Sequence, residues 1–474
     1  MRMFVSGTWV DRDEKIEVRD PQDGALIDTV PSASLEDIDL LLASAEDGRR
    51  IARQMPAHQR MDILNDAAAR IDAAHEEFAR TIALEGIKTI REARKEVSRA
   101  VTTLKISAEE ARRLTGETIR FDQVAASERR LGYFTREPVG IIAAITPYND
   151  PLNLVAHKVG PAIAAGNAVV VKPDSRTPLS ALMLARALQE AGVPSGVVQV
   201  ITGQGREVGN ALVRDPRVRM VSFTGGAAVG AEIMRHVGIK RVALELGSNC
   251  PVIVMPDADL DLAVTANVSG AYWAAGQNCL HVQRLFVHEK IFDEFSSRFV
   301  QGARSYTVGP KLNEETDMGP LINERHAENV ERLVAEAVAA GARLLTGGER
   351  SGNFFSPTVL ENLPASCSLA REEIYGPVTV LYRFSSLDDA IAQANNVDYG
   401  LQAAIFTRDL EIAHRAIAGL DVGGVMVNDS TDYRIDAMPF GGVKGSGLGR
   451  EGVRSAVLEM TEPKVVCFNL TGGI

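Results

Sequence analysis

The sequence lacks the features that mark secreted, membrane-spanning and metal-binding proteins. It contains only 4 cysteines in 474 residues. Cys250, Cys279, Cys367 and Cys467 show neither disulfide nor metal-ligand spacing, so we predict free thiols, no metal site and a reducing cytoplasm. The first residues have no apolar run behind a basic cap, and no stretch approaches the roughly 18 apolar residues of a membrane span. We therefore expect neither a secretory signal nor a membrane partner.

Positive charge is not in excess either. Lys and Arg number 51 against 62 Asp and Glu, which gives a net charge of −11 and a pI near 5.4. This balance disfavours nucleic acid or an anionic membrane as partner. The hydrophobic content of 45% is typical of a globular protein, and 474 residues exceed what one compact core needs. Two or three domains are expected.

Helical patterns and short apolar runs alternate along the chain. Apolar residues at helical spacing predict amphipathic helices at about 61–82 and at 179–191. Short apolar runs predict buried strands at 139–145, 168–171, 197–201, 220–223, 251–255, 283–287, 403–407 and 424–428. Strands that alternate with helices predict an α/β fold with two doubly wound parallel sheets. No repeat or low-complexity linker separates the two halves, and we expect the site in the cleft between them.

Two glycine-rich turns follow strands in the first half, at 203–209 and 223–230. Glycine permits close backbone approach, and a helix N-terminus favours an anion such as a phosphate. Neither turn fits the Rossmann fingerprint, so an ordinary Rossmann dehydrogenase is disfavoured. The alternative is that the glycines only let strands turn into helices.

One thiol in the second half has the setting of a nucleophile. Cys279 ends the segment Tyr-Trp-Ala-Ala-Gly-Gln-Asn-Cys, directly after a Gly-Gln turn. A tight turn exposes the sulfur, and nearby amide N–H groups stabilise its anion. Taken alone, such a cysteine is more often a small core hydrophobe.

Seven motifs, in order, resemble those of the aldehyde dehydrogenase superfamily over nearly the whole chain. They are Ile145-Thr146-Pro147-Tyr148-Asn149, Val171-Lys172-Pro173, Phe223-Thr224-Gly225, Leu244-Glu245-Leu246-Gly247, Gly276-Gln277-Asn278-Cys279, Glu372-Glu373-Ile374-Tyr375-Gly376-Pro377 and Pro439-Phe440-Gly441-Gly442. The resemblance implies a cofactor domain (1–115 and 138–245), a catalytic domain (246–440) and a small β-element (116–137 and 456–474). That element builds homodimers or homotetramers in the family.

The resemblance also assigns catalytic roles. Cys279 is the nucleophile that attacks the aldehyde carbon, and the Asn149 amide with the Cys279 backbone N–H forms the oxyanion hole. Glu245 is the base that activates water to hydrolyse the thioester. Relatives that pass the acyl group to coenzyme A lack this Glu, so hydrolysis to the free acid is expected. Asn149 as a turn residue and Glu245 as a surface carboxylate are the alternatives.

NAD or NADP is the implied cofactor. Lys172 and Ser175 correspond to positions that hold the adenosine ribose, and Glu373 to one that holds the nicotinamide ribose. Strict NAD users often carry Glu at the Ser175 position, and its absence permits the 2′-phosphate of NADP. Gly226 replaces a Ser that bonds the pyrophosphate, and Ser248 replaces a Gly. The other cofactor-binding residues predicted by the resemblance are Thr146, Pro147, Tyr148, Gly205, Gly209, Phe223, Gly225, Leu246 and Tyr375.

The expected substrate tunnel is unusually polar. One helix face carries Asp150, Asn153, Leu154 and His157, where family enzymes for fatty aldehydes place bulky apolar groups. Arg434 is expected at the tunnel mouth, Arg99 on the opposite side and Trp273 nearby. Two guanidinium groups and a histidine suit a carboxylate, sulfonate, phosphonate or phosphate on the aldehyde. The closest resemblance is to lactaldehyde, semialdehyde and phosphonoacetaldehyde dehydrogenases. In the alternative, Arg434 is a solvated loop charge and His157 is structural.

Two other functions stay open from the sequence. A thiol hydrolase or acyltransferase could use Cys279 with His281 or His157 and no nucleotide, but the glycine-rich turns would then have no role. A binding protein of the same fold could have lost catalysis. The joint presence of Cys279, Glu245, Asn149 and Lys172 disfavours that reading.

Overall fold

The computed structural model describes residues 1–470. Its helices are α1 (Leu35–Gln54), α2 (Ala57–Ala73), α3 (His75–Glu85), α4 (Ile90–Arg113), α5 (Asn153–Ala164), α6 (Leu179–Glu190), α7 (Asn210–Arg214), α8 (Ala227–His236), α9 (Leu260–Tyr272), α10 (Phe292–Arg304), α11 (Glu324–Ala339), α12 (Ser368–Arg371), α13 (Leu387–Asn395), α14 (Leu410–Gly419) and α15 (Val453–Glu459). Within this part of the chain, none of the helices has the length and apolar character that a bilayer crossing requires.

Strands divide the molecule into layers. They are β1 (Met3–Val5), β2 (Thr8–Val10), β3 (Lys15–Arg19), β4 (Leu26–Pro31), β5 (Glu117–Arg120), β6 (Arg130–Pro138), β7 (Ile141–Ile145), β8 (Ala168–Lys172), β9 (Val198–Val200), β10 (Val218–Thr224), β11 (Arg241–Glu245), β12 (Cys250–Val254), β13 (Val282–His288), β14 (Arg343–Thr346), β15 (Arg350–Ser351), β16 (Phe354–Phe355), β17 (Thr358–Glu361), β18 (Val378–Phe384), β19 (Gln402–Phe406), β20 (Gly424–Val427), β21 (Gly447–Leu448) and β22 (Thr461–Asn469). The eight predicted strands all occur, with bounds that differ by one or two residues.

The first large sheet has the order β2-β1-β9-β8-β7-β10-β11-β21. Its centre, from β9 to β11, is parallel, and antiparallel strands close both edges. The central strands are almost fully buried because helices cover both faces, which is why they appear in the sequence as continuous apolar runs. The edge strand β21 comes from residues near the end of the described chain, which ties that segment to the first sheet.

The second large sheet has the order β14-β17-β18-β13-β12-β19-β20. It is parallel except for the β14–β17 pair. Together the two sheets confirm the predicted α/β class with two doubly wound parallel sheets. Strands β14, β17 and β18 were missed by the sequence reading. Strand β17 pairs with β18, and β14 forms the edge of the sheet beside β17; both β14 and β17 are only four residues long.

A third, antiparallel sheet pairs β22, β6 and β5 in that order. It is the small β-element that the sequence predicts. Exposed apolar side chains stand on it, namely Leu131, Tyr133, Val465 and Phe468. The last four residues of the predicted element, 471–474, lie outside the described residues.

One predicted helix is wrong in its continuity. Residues 61–82 do not form a single helix, because the chain leaves helical geometry at Ala74 (φ −101°, ψ 24°) between α2 and α3. Both sides of the break remain amphipathic and bury Ile71 and Phe78 in the same core. Alanine favours helix, so the break carries no local sequence signal.

Candidate active site

A cavity of about 880 Å³ lies where the carboxyl ends of the first sheet face the second. Strands β7, β8, β10 and β11 lead directly into its wall, and the segments after them contribute Asn149, Gly225 and Gly226. Lys172 and Glu245 are the last residues of β8 and β11. The chain departs in opposite directions from the neighbouring strands β7 and β10, and such switch points form ligand crevices in α/β sheets.

The second sheet contributes the loop of Cys279, which precedes β13. Ala274 and Ala275 adopt left-handed conformations (φ 51° and 54°), followed by Gly276 at φ 68°. A Cβ on Gly276 would approach the Gly376 carbonyl oxygen to 2.2 Å, so only glycine fits there. The Gln277 side-chain amide donates to the Ala274 and Pro320 carbonyls, both at 3.2 Å. The turn therefore presents the Cys279 thiol to the cavity.

Cys279 lies in a weakly solvated position that favours the thiol over the thiolate. Burial raises the pKa of Cys279 well above its usual value, and the positive charge of Arg434 only partly opposes this. The thiol is therefore protonated at rest, and a base must remove its proton during reaction.

Asn149 is 5% exposed and lines the same cavity. Its side chain makes no hydrogen bond within residues 1–470, and its Oδ1 is buried without a donor. A buried amide without partners is costly, and a ligand oxygen would satisfy its N–H groups. This geometry suits a fixed donor to an oxyanion.

Two glutamates share the cavity wall, and their surroundings differ. Burial and the nearby negative charge of Glu451 raise the pKa of Glu245 well above its usual value. Burial alone would also raise the pKa of Glu451, but the charges of Lys158 and Arg434 outweigh it and hold that pKa well below its usual range. Lys158 Nζ donates to Glu451 at 3.0 Å, and Arg434 lies 3.2 Å away. Ionisation of Glu245 is thus disfavoured in the folded protein, while Glu451 stays ionised.

Arg434 is not a solvated loop charge. Its side chain is 7% exposed, pairs with Glu451 and stacks on the ring of Phe440 at 3.7 Å. Its Nε–H is buried without an acceptor. The guanidinium therefore lines the cavity with an unused donor.

Arg99 approaches the cavity from α4. Its guanidinium bonds Asp436 at 2.9 Å, and its Nε–H is also buried without an acceptor. Asn153 and His157 donate to or share a proton with the same Asp436 oxygen, at 3.2 and 2.9 Å. Neither of these two lies on the cavity wall, since both are buried behind Asp436. The structure thus places Arg99, Arg434 and Trp273 on the wall and the other two expected substrate residues beneath it.

Asp150, whose negative charge opposes an anionic ligand, has a buried cation beside it. Lys88 forms an ion pair with it, and the same ammonium donates to Glu96 at 2.8 Å. Lys88 is 2% exposed. The negative charge of Asp150 is therefore partly offset by a residue that the sequence did not single out, because Lys88 is shared with Glu96.

The cofactor end of the cavity contains nearly all the residues expected there. On its wall lie Thr146, Pro147, Tyr148, Lys172, Gly205, Gly209, Phe223, Gly225, Gly226, Leu246, Glu373 and Tyr375. Lys172 is 4% exposed and forms no ion pair within residues 1–470. Thr146 Oγ1 is buried without a partner. A buried ammonium and hydroxyl without acceptors fit the hydroxyls of a ribose.

Ser175 is half-buried and does not lie on the wall, although its neighbours Asp174 and Arg176 do. Arg176 bonds both oxygens of Asp174, at 2.8 and 2.7 Å, and stacks on Tyr148 at 4.4 Å. The carboxylate nearest Lys172 is therefore already compensated by a guanidinium.

The two departures from the family pattern are accommodated. Gly226 precedes α8, no side chain caps that helix, and a Cβ on Gly226 would meet nothing within 4 Å. The open N-terminus of α8 remains suited to a phosphate. The Ser248 N–H donates to Glu373 at 2.8 Å, while burial raises the pKa of Glu373 to about 7.

Sequence reasoning missed several residues that shape this site: Lys88, Glu92, Glu96, Lys158, Asp436 and Glu451. None belongs to a motif with a spacing rule. Each acts across a long stretch of sequence, so only the fold reveals its partners.

Comparisons with known proteins agree with this geometry. A sequence model of the aldehyde dehydrogenase family matches residues 9–466. Aspartate-semialdehyde dehydrogenase 1 of Pseudomonas canavaninivorans is 52% identical over 96% of this chain and 97% of its own length. Aldehyde dehydrogenase 21 of Physcomitrella patens, solved in complex with the reaction product succinate, matches with a TM-score of 0.98 at 39% identity, covering 100% of this chain and 99% of its own.

A third relative is the glyceraldehyde-3-phosphate dehydrogenase of Methanocaldococcus jannaschii, solved in complex with NADP. It matches with a TM-score of 0.93 at 40% identity, covering 97% of this chain and all of its own. These similarities confirm the suspected branch, which includes semialdehyde dehydrogenases. The chain belongs to the aldehyde dehydrogenase family and is an NAD(P)-dependent oxidoreductase that acts on aldehydes.

Proposed function

We propose that the protein oxidises a short aldehyde bearing an anionic group to the corresponding carboxylic acid. The observation that carries this proposal is the pair of guanidinium groups on the cavity wall. Arg99 and Arg434 each have a buried Nε–H without an acceptor. An unsatisfied buried donor is costly, and a carboxylate, sulfonate, phosphonate or phosphate would satisfy both arginines.

Both arginines are held in place by their own carboxylates, Asp436 and Glu451. These pairs fix the guanidinium groups without using all of their donors, because an arginine has five N–H groups. Fixed donors lose little side-chain entropy when the ligand binds. We infer that Asn153 and His157 contribute by anchoring Asp436 rather than by contacting substrate.

The relatives support an anionic substrate through their own names. One acts on aspartate semialdehyde, one was solved with succinate, and one is a glyceraldehyde-3-phosphate dehydrogenase. All three compounds carry a carboxylate or phosphate a few bonds from the reacting carbon. A comparison of aldehydes that carry a carboxylate, a phosphonate or a phosphate identifies which anionic group this chain prefers.

For the chemistry, we propose a covalent route. Cys279 loses its proton to solvent in the cavity and attacks the aldehyde carbon, and the Asn149 amide with the Cys279 N–H stabilises the resulting alkoxide. A cofactor held by Lys172 and Glu373 would supply, in its nicotinamide, the acceptor for the hydride that the former aldehyde carbon loses. Glu245 then removes a proton from the water that attacks the thioester, and Cys279 leaves with the acid released.

We propose that NADP is accepted as well as NAD. Lys172 has no carboxylate partner, and Asp174 is compensated by Arg176. No uncompensated negative charge therefore faces a 2′-phosphate near Lys172. Arg206, exposed at the cavity edge, adds a positive charge.

The thiol hydrolase alternative is less favoured. It needs a histidine beside Cys279, but neither His281 nor His157 lies on the cavity wall. Burial lowers the pKa of His281 to about 3, and both of its ring nitrogens lack partners. The cavity wall presents carboxylates instead, among them Glu245 and Glu373.

We also propose a homo-oligomer in a reducing cytoplasm. The exposed apolar side chains of the β5–β6–β22 sheet suit contact with a second copy, and all four cysteines are free. Light scattering of the purified chain tests the assembly.

The function is tested with matched aldehydes and both cofactors. Succinic semialdehyde, phosphonoacetaldehyde and 3-phosphoglyceraldehyde are compared with butanal and propanal, each with NAD and with NADP. We expect kcat/KM to be at least about tenfold higher for an anionic aldehyde, the effect of one charge-assisted hydrogen bond. Propanal or butanal outperforming every anionic aldehyde would refute the anionic proposal.

A further inference from the structure

The two catalytic loops are distant in sequence, but one helix holds both. Glu92 and Glu96 lie on α4 at 5% and 1% exposure, and Arg99 follows one turn later. Residues spaced by four and three positions share one face of a helix. That face looks toward the catalytic cavity, whose wall includes Arg99 and Lys95.

Glu96 holds the loop of Asn149. Its Oε1 accepts from the Leu152 and Asn153 N–H groups at 2.8 and 3.0 Å. These are the first donors of α5, which has no side-chain cap of its own. A carboxylate at this position satisfies donors that would otherwise be orphaned and complements the helix dipole. Three residues separate Asn149 from this anchor.

Lys88 makes a second contact with the same loop. It donates to Glu96 Oε2 at 2.8 Å and forms an ion pair with Asp150, which is adjacent to Asn149. The loop that carries Asn149 is therefore held by contacts at Asp150, Leu152 and Asn153, all of which lead to Glu96. Asn149 itself makes no hydrogen bond that could fix it within residues 1–470.

Glu92 holds the loop of Cys279. Its Oε1 accepts from the Ala274 N–H at 2.8 Å, and its Oε2 accepts from Thr89 N–H at 2.9 Å. Ala274 and Ala275 occupy left-handed conformations that alanine adopts only when its surroundings impose them. Glu92 supplies one such restraint, five residues before the thiol.

We propose that this face of α4 aligns the oxyanion donor with the nucleophile, and that Glu96 and Glu92 are positioning residues for Asn149 and Cys279. The proposal rests on the catalytic roles proposed above for those two residues. Burial raises the pKa of both glutamates, which is consistent with carboxylates kept at a cost in the interior. Arg99 lies on the same helix, so α4 also positions one of the two guanidinium groups proposed to bind the anion.

The first test is a double-mutant cycle on the rate of NAD(P)H formation in a single turnover. We expect Glu96→Ala to slow this step about 10- to 100-fold, the effect of a small misplacement of a catalytic group. In an Asn149→Ala background the same change should cost less than about threefold, because the group that it positions is gone. Glu110→Ala is the matched control, since Glu110 is buried on α4 and pairs only with Arg113.

Equal losses in both backgrounds would overturn the role of Glu96, as would an unchanged rate in Glu96→Ala. A wild-type rate in Asn149→Ala alone would instead refute the proposed oxyanion role. If Glu96→Ala fails to fold, Glu96→Gln retains an acceptor oxygen for the two N–H groups. We then expect a loss below about tenfold that again disappears without Asn149.

The second test measures alkylation of Cys279 by iodoacetamide in the cofactor-free enzyme. We expect Glu92→Ala to slow alkylation by about tenfold as the turn relaxes, whereas Glu96→Ala leaves it unchanged. We also expect Glu92→Ala to slow the single-turnover formation of NAD(P)H, and to slow it by the same factor in an Asn149→Ala background. Unchanged alkylation in Glu92→Ala, or equal changes in both variants, would overturn the division of roles.

Discussion

Glu245 and Glu451 lie on one cavity wall and are equally buried, at 5% and 4% exposure, but their pKa values shift in opposite directions. Burial disfavours ionisation in both. Glu451 has Lys158 and Arg434 as direct partners, whereas Glu245 has an oxygen without any partner and the charge of Glu451 nearby. Lys158 and Arg434 act on both carboxylates, but of the two only Glu451 pairs with them directly, so direct ion pairing and not the depth of burial decides which carboxylate stays ionised.

The same contrast separates what each residue can do. A carboxylate with a raised pKa holds a proton more tightly than an ordinary carboxylate, which makes it a better general base. A carboxylate held ionised by two cations can only fix them in place. We therefore assign proton transfer to Glu245 and the positioning of Arg434 to Glu451.

The largest expected effect comes from Glu245→Gln. Without the base, we expect steady-state turnover to fall about 10²–10⁴-fold, while the first turnover proceeds at nearly the wild-type rate. Steady-state and stopped-flow formation of NAD(P)H with one anionic aldehyde measure the two quantities. Steady-state turnover above a tenth of the wild-type rate would mean that Glu245 is not the base, and that the proposed difference in role between Glu245 and Glu451 is wrong.

The next effect is on the free energy of unfolding, which we expect Glu451→Gln to lower and Glu245→Gln to leave unchanged or raise slightly. Glu451→Gln leaves Lys158 and Arg434 buried without their carboxylate, so we expect a loss of about 3–5 kcal/mol in the free energy of unfolding. Glu245→Gln removes an uncompensated buried charge, so we expect no loss or a small gain. Urea unfolding at pH 8 compares the two variants. A loss of several kcal/mol in both would mean that their surroundings do not differ as described.

The pH dependence of these stability differences follows from the pKa shifts. The folded-state pKa of Glu451 is depressed, so its contribution is present above the unfolded-state pKa of about 4.3 and is lost as pH falls through the folded value. The folded-state pKa of Glu245 is raised, so its cost grows as pH rises from about 4.3 to the folded value. The gain in Glu245→Gln should therefore vanish near pH 4.

The smallest effect concerns Arg434, which links Glu451 to the substrate. We expect Arg434→Ala to lower kcat/KM for an anionic aldehyde about 10- to 100-fold, from the loss of a charge-assisted hydrogen bond. Propanal in the same variant is the internal control and should change less than about threefold. Arg434→Lys keeps the charge facing Glu451 but loses the planar fork, and should recover only part of the loss. Equal losses in kcat/KM for both aldehydes would mean that Arg434 pairs with Glu451 but does not bind the anionic group of the substrate.

The fold, and the place of the proposed catalytic residues on the cavity wall, could be predicted because their signals are local. Apolar runs bounded by glycine and proline mark the buried strands, and the motif residues follow those strands directly. The helical spacing of Asn153 and His157 also correctly placed them on one face. Their partner Asp436 lies 279 or more positions away, so the sequence could not reveal that this face is filled by a carboxylate.

The residues proposed to position the site, Glu92 and Glu96, are the hardest to predict from the sequence. Glu96 contacts the Asn149 loop across 56 positions, and Glu92 contacts the Cys279 loop across 182. In the sequence they are two more charges on an amphipathic helix. Only the packing of α4 against both loops distinguishes them from solvent-facing glutamates.

The most direct test of the covalent mechanism is to trap the thioester. Glu245→Gln is mixed with an anionic aldehyde and NAD(P), quenched in acid and digested, and the peptide containing Cys279 is weighed by mass spectrometry. We predict one NAD(P)H per subunit and the mass of one acyl group on Cys279, with none in Cys279→Ala. Continued turnover without an adduct on Cys279, or an acyl group on any other residue, would contradict the account.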